Sequence, residues 1–206
     1  MQLFFAKGTI SIAVAIALEE AGLPYDPVKV DFATAEQTKP DYLALNPKGR
    51  VPLLITDAGA SLTETGAILD YIAAIAPNAA LVPQNPEMAA HMRSVMYYLA
   101  STMHVNHAHK GRGHRWANEA SSHADMTAKV PETMSQSASF IEANAFKGPF
   151  VTGNSLTIAD PYLFVVCNWL AGDGVVVSDF PKIETFLSDM RKRASLQAVI
   201  SKGMLE

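Results

Sequence analysis

Apolar and polar positions follow two different rhythms along the chain. Over residues 1–76, short apolar runs alternate with helical periods. Gln2–Ala6 is short, apolar and aromatic, which predicts a buried strand. Ser11–Ala21 is rich in Ala, Ile and Leu and predicts a helix, stopped by Gly22 and Pro24. Pro27–Val30 predicts a second strand, and strand, helix, strand in this order is a βαβ unit with a right-handed crossover. Asp41–Leu45 supports no more than a helical turn, and Asn46-Pro47-Lys48-Gly49 is turn chemistry. Val51–Ile55 and Ser61-Leu62 bracket Asp57-Ala58-Gly59, the pattern of a hairpin. Thr65–Ile75 returns to a helical period and is closed by Pro77.

Beyond residue 79 the strand rhythm disappears. Ala79–Pro86 carries two prolines and little charge and reads as a linker. Glu87 to about Trp116 predicts one long helix, and Asp125–Asn144 another. Thr157–Gly172 is strongly apolar and predicts a buried helix; Pro181–Arg193 and Leu196–Lys202 predict shorter ones. The expected organisation is therefore an α/β domain over 1–78 of βαβ-ββα order, a linker over 79–86, and an all-α domain over 87–206.

Composition narrows the function classes. With 49 % hydrophobic and 17 % charged residues, the chain can bury a substantial core. A net charge of −4 gives no electrostatic case for a nucleic-acid partner. Cys167 is the single cysteine, so packing and not disulfides must hold the fold. Ile10–Leu18 faintly resembles a signal sequence, but Glu19-Glu20-Ala21-Gly22 reads as a helix end, not a cleavage site. No apolar stretch approaches the ~20 residues that span a bilayer, so no membrane partner is expected.

Four segments together resemble the cytosolic glutathione transferases, the bacterial beta class most of all. They are Met1-Gln2-Leu3-Phe4-Phe5 with Ser11, then Asn46-Pro47-Lys48-Gly49-Arg50-Val51-Pro52, Leu62-Thr63-Glu64-Thr65-Gly66-Ala67-Ile68, and Gly153-Asn154-Ser155-Leu156-Thr157-Ile158-Ala159-Asp160. Their order and spacing match the family over essentially the whole chain. The resemblance implies a thioredoxin-like first domain that binds glutathione and a helical second domain that supplies the other substrate's pocket. It implies a cis Val51-Pro52 bond, with the Val51 backbone pairing glutathione like an added strand. Glu64 takes the tripeptide's ammonium and Thr65 its γ-glutamyl carboxylate, at a helix N-terminus whose free N–H groups favour anions. Both residues also suit a plain helix cap. Thr157 and Asp160 fit a capping arrangement and are assigned to folding.

The chemistry expected of the family is formation of a thiolate. A free thiol has a pKa near ~8.5, and lowering it by about two units would ionise most of it at neutral pH. Phe5 stands where many members place a Tyr, and Ile10 where beta-class members often place a Cys. The expected thiolate donor is Ser11, with Thr9 second; a helix cap is the competing role for Ser11. The Lys that members carry after the second strand is missing from Ala33-Thr34-Ala35-Glu36, leaving Lys7 or Arg50 to compensate.

In the helical domain, His104 inherits by position the functional His of the beta class. It opens a run ending at Trp116 that also contains Asn106, His107, His109, His114 and basic residues. A metal site is the rival reading of this run, but no carboxylate or Cys completes a zinc pattern, and no metal is expected. A polar solvent-facing helix is the third. The second-substrate pocket is expected to involve Phe5, Ile10, Asn106, His107 and Trp116. The implied function is a cytoplasmic, homodimeric detoxification enzyme that conjugates the glutathione thiolate to a small, largely apolar electrophile. The alternatives are a non-catalytic glutathione- or ligand-binding protein, and a glutathione-dependent isomerase, dehalogenase or peroxidase on the same scaffold.

Overall fold

The computed structural model describes residues 1–205. It divides into two compact units, residues 1–82 with 191–206, and residues 83–190.

The first unit is built on β1 (Gln2–Phe5), α1 (Ser11–Glu20), β2 (Asp26–Lys29), α2 (Pro40–Leu45), β3 (Leu53–Ile55), β4 (Ser61–Thr63) and α3 (Thr65–Ile75). The four strands form one sheet in the order β2-β1-β3-β4. β1 and β2 are parallel, with Leu3 opposite Pro27; β3 runs antiparallel to both β1 and β4. This is the expected thioredoxin-like βαβ-ββα arrangement. Ser11–Leu18 are buried on every side of α1, which fits a helix without a polar face. α1 packs against β1 and α3.

The C-terminal stretch departs from expectation. Residues 191–206 group with the first unit instead of the helical one. α9 (Ala194–Ser201) packs on α1. Glu20 receives Arg193 through two hydrogen bonds, Nε at 2.6 Å and Nη2 at 2.8 Å, and a third bond from Ser195 Oγ. Gly8 N–H donates to the Met204 carbonyl at 3.2 Å. Burial raises the Glu20 pKa, but the bonds from Arg193 and Ser195 outweigh it and hold the carboxyl below its ordinary range.

The second unit is all-helical: α4 (Pro86–Tyr98), α5 (His104–Arg112), α6 (Ala120–Asn144), α7 (Ala159–Asn168) and α8 (Pro181–Arg191, whose last residue groups with the first unit). The single long helix expected over 87–116 is interrupted by a π turn at Leu99–Met103, and its last turn, Gly113–Arg115, is 3₁₀. α7 starts where the capping arrangement predicts. Asp160 is fully buried and its Oδ2 accepts from the Thr157 N–H at 2.7 Å and hydroxyl at 2.9 Å. Its Oδ1 accepts from the Val151 N–H at 2.8 Å. Among the described residues no helix is long and apolar enough to cross a membrane.

Candidate functional site

Three segments of the first unit carry the residues singled out in the sequence. The first is the turn before β3. Gly49 has φ +60°, and a side chain there would meet the Gln37 carbonyl at 3.1 Å, so glycine is needed. The Arg50 carbonyl is held by Tyr42 Oη and Asn46 Nδ2, each at 2.7 Å. The Val51-Pro52 bond is cis. Among the described residues, no hydrogen bond reaches the Val51 N–H or C=O. A backbone unit so anchored on one side and unpaired next to it is ready to pair with an extended peptide.

The second segment is the start of α3. Glu64 sits at φ +70°, ψ 119°, a conformation non-glycine residues rarely adopt. Such strain costs of order 1–3 kcal/mol and persists where surrounding structure enforces it, which is common at ligand clamps. Thr65, the first residue of α3, is 7 % exposed, at the positive end of the helix dipole. Lys48 Nζ lies 2.6 Å from Glu64 Oε1 and donates to Thr63 Oγ1 at 2.9 Å. Sequence offers Lys7 and Arg50 as cations for this region; the cation beside Glu64 in the structure is Lys48. The hairpin places Lys48 beside Glu64 although 16 positions separate them.

The third segment is the start of α1. Thr9 Oγ1 donates to the Ala6 carbonyl at 2.8 Å and lies 2.7 Å from Ser11 Oγ. Ser11 Oγ accepts from the Ala6 N–H at 3.3 Å. Ser11 Oγ also lies 3.3 Å from the Ala6 carbonyl, so either hydroxyl can be the donor between Ser11 and Thr9, with the other oxygen's proton going to Ala6. Ser11 is completely buried, whereas Thr9 is partly exposed.

Family models match both halves of the chain: glutathione S-transferase N-terminal domain over residues 1–74, and glutathione S-transferase C-terminal domain over 109–203. The chain belongs to the glutathione transferase family. A crystal structure of a Sulfitobacter glutathione transferase homologue with bound glutathione is 66 % identical, with a TM-score of 0.98 over 99 % of this chain and 98 % of that one. A beta-class glutathione S-transferase of Sphingomonas chungbukensis is 30 % identical, with a TM-score of 0.84 over 98 % of each chain. Glutathione S-transferase GST-4.5 of Xanthomonas campestris is 31 % identical over 97 % of each chain.

For a glutathione transferase the remaining candidates distribute unevenly. Phe5 and Ile10, each 5 % exposed, belong to the core of the first unit, so neither offers a pocket surface of any size. The others lie in the second unit. Asn106 spends its amide on Ser137 Oγ at 3.0 Å and the Thr133 carbonyl at 3.4 Å, both on α6, and so stitches two helices together. His104 tilts against Trp169 with ring centroids 5.0 Å apart. His107 stacks on the same indole at 4.2 Å and places Nδ1 2.7 Å from Asp173 Oδ2. Trp116 is 46 % exposed and meets His109 edge-on. Among the described residues, no three His, Cys, Asp or Glu side chains group so as to hold a metal ion. Cys167 is buried, and burial pushes its thiol well above the ordinary range, so it supplies no nucleophile.

Proposed function

We propose that this protein is a glutathione transferase that conjugates the glutathione thiolate to a small, largely apolar electrophile. The observation that carries the reading is the unpaired Val51 backbone next to the Glu64-Thr65 helix start, within one rigidly braced unit. Val51 pairs with the cysteinyl backbone of the tripeptide. Thr65 and the first-turn N–H groups of α3 hold the γ-glutamyl carboxylate, and Glu64 holds the ammonium. Lys48, already on Glu64, makes room for that ammonium and supplies the nearby positive charge that the 33–36 stretch lacks, with Arg50 as the second source.

Thiolate stabilisation falls to the start of α1. Ser11 has no exposed surface, so its hydroxyl acts through Thr9, which reverses the ranking expected from sequence. On binding, the Thr9 proton turns from the Ala6 carbonyl to sulfur, while Ser11 still donates to Thr9 and keeps its oxygen in place. A hydrogen bond to the thiolate plus the α1 dipole lowers the thiol pKa, and each unit is ~1.4 kcal/mol. The same set of bonds favours a second reading. Its protons are all engaged without a ligand, which suits a protein that binds glutathione but turns over slowly. Family membership supports a homodimer working in the cytoplasm.

Calorimetric titration with glutathione tests the proposal. The wild-type protein is expected to bind, and Glu64→Gln to bind about 10–100-fold more weakly, the effect of losing a charge-assisted bond of ~1.5–3 kcal/mol. Absent wild-type binding, or equal affinity of the variant, contradicts it. Tight binding without conjugation of any electrophile decides for the second reading.

A further inference from the structure

The chain after α9 reaches back to the segment that carries Thr9. α9 ends at Ser201, and Gly203 follows at φ +69°. Gly203 N–H donates to the Ile200 carbonyl at 2.8 Å, and Met204 N–H to the Val199 carbonyl at 3.3 Å. This pair of bonds is the Schellman closure, which needs a left-handed residue at Gly203 and fixes the direction of the residue after it. Met204 is fully buried, and Leu205 is 7 % exposed. Lys202 pairs with Glu19 near the end of α1 and lies 4.3 Å over the Tyr25 ring. The Met204 sulfur is 3.9 Å from Tyr25 Oη. The tail is thus held along its length, and its Met204 carbonyl accepts from the Gly8 N–H at 3.2 Å.

Gly8 belongs to a turn of its own. Thr9 N–H donates to the Ala6 carbonyl at 3.2 Å. Gly8 has φ +69° and follows a Lys7 whose φ is not positive. That is a type II turn over Ala6–Thr9, with glycine at the third position. The type I alternative rotates the Lys7–Gly8 peptide by about half a turn, and glycine accepts either form. In the form observed, the Gly8 N–H faces the Met204 carbonyl. In the other, the Lys7 carbonyl would face it, and two carbonyl oxygens repel. Thr9 closes this turn, with its hydroxyl 2.8 Å from the Ala6 carbonyl and 2.7 Å from Ser11 Oγ.

We propose that Met204, through its main-chain carbonyl, is a positioning residue for Thr9, and that the 202–205 tail sets how readily the first unit ionises bound glutathione. The second half rests on the reading that Thr9 meets the sulfur; the first does not. A donor stabilises a thiolate most when it is held in place before the charge forms. Released from Met204, the turn samples both forms, Thr9 moves with it, and part of the stabilisation is lost to ordering the loop.

Gly203 isolates this effect, because a Cβ there meets no atom within 4 Å and a substitution acts through φ. In the full-length protein, Gly203→Val, strongly disfavoured at positive φ, is compared with Gly203→Asn, which tolerates it. The readouts are exchange of the Gly8 amide proton, the Thr9 Hα–Hβ coupling and the ultraviolet thiolate titration of the glutathione complex. In wild type the Gly8 amide should be protected and Thr9 should hold one rotamer. Gly203→Val should speed Gly8 exchange by at least ~10-fold, average the Thr9 coupling and raise the pKa of bound glutathione by about half a unit or more. Gly203→Asn should stay close to wild type in all three. A tail that only adds stability would lower the urea midpoint of Gly203→Val and leave the thiol titration where it is. That result, equal shifts in the two variants, or a Gly8 amide still protected in Gly203→Val overturns the proposal. If Gly203→Val does not fold, Gly203→Ala, at the same φ, is read in its place. If wild type does not bind and ionise glutathione, the transferase reading fails, and the Gly8 and Thr9 spectra alone decide: both moving in Gly203→Val sustains the positioning role, and an unmoved Thr9 overturns it.

Discussion

Removing the Asp160 carboxylate should unfold the helical unit before it harms glutathione binding. The side chain has no solvent exposure and accepts hydrogen bonds from the Val151 N–H, the Thr157 N–H and the Thr157 hydroxyl, at 2.8, 2.7 and 2.9 Å. Bonds to a charged group are worth ~1.5–3 kcal/mol each, and an orphaned buried donor costs ~1–3 kcal/mol. These contributions share one carboxylate and do not add fully, so Asp160→Ala should cost about 3–5 kcal/mol. For a chain of this size that lowers Tm by roughly 6–20 °C. Asp160→Asn should also destabilise, because an amide NH2 then faces donors on one side. The assay is urea unfolding followed by far-ultraviolet circular dichroism, with glutathione calorimetry on the folded variant. Affinity for glutathione should be unchanged, since Val51, Glu64 and Thr65 lie in the other unit. A loss below ~1 kcal/mol, or weakened glutathione binding at intact stability, would refute the reasoning.

Three further predictions rest on named contacts. With Thr9 as the proposed donor to sulfur, Thr9→Val should raise the pKa of bound glutathione by about a unit or more, and Ser11→Ala by less; pH–rate profiles with a chloride-releasing electrophile would expose the reverse order. Glu20, whose pKa is lowered on folding, contributes stability that is present above the ordinary carboxylate pKa of ~4.3 and lost as pH falls through its lower folded value. The stability gap between wild type and Glu20→Gln, measured by urea unfolding at several pH values, should thus be open at neutral pH and shrink in acid; a gap that widens in acid would contradict the sign. Cys167, buried with its thiol pushed up, should resist a thiol-specific disulfide reagent in the native state and react once unfolded.

Local chemistry was readable where it is fixed by neighbours in the chain. The apolar run of α1, the cis Val51-Pro52 turn and the Thr157–Asp160 cap all depend on residues a few positions apart, and each stands where its motif predicts. What escaped depends on distance or burial. Lys48 meets Glu64 only because the β3–β4 hairpin folds it back. Asp173 is 66 positions from His107, and no spacing rule links a turn aspartate to a histidine on another helix. Ser11 matches the family position, but its burial follows from α1 being covered on all sides. The π turn before His104 carries no periodicity signal, since its residues suit an α-helix equally. The attachment of 191–206 to the first unit rests on Glu20 with Arg193 and Ser195, a tertiary bargain between two helix ends invisible to either segment alone.

The central claim is that the first unit binds glutathione and ionises it. Ultraviolet difference titration of the protein–glutathione complex against pH tests this most directly. A thiolate absorption band that titrates below pH 7, more than a unit under free glutathione and displaced upward by Thr9→Val, is the predicted result. A bound thiol that ionises no more readily than free glutathione would contradict it.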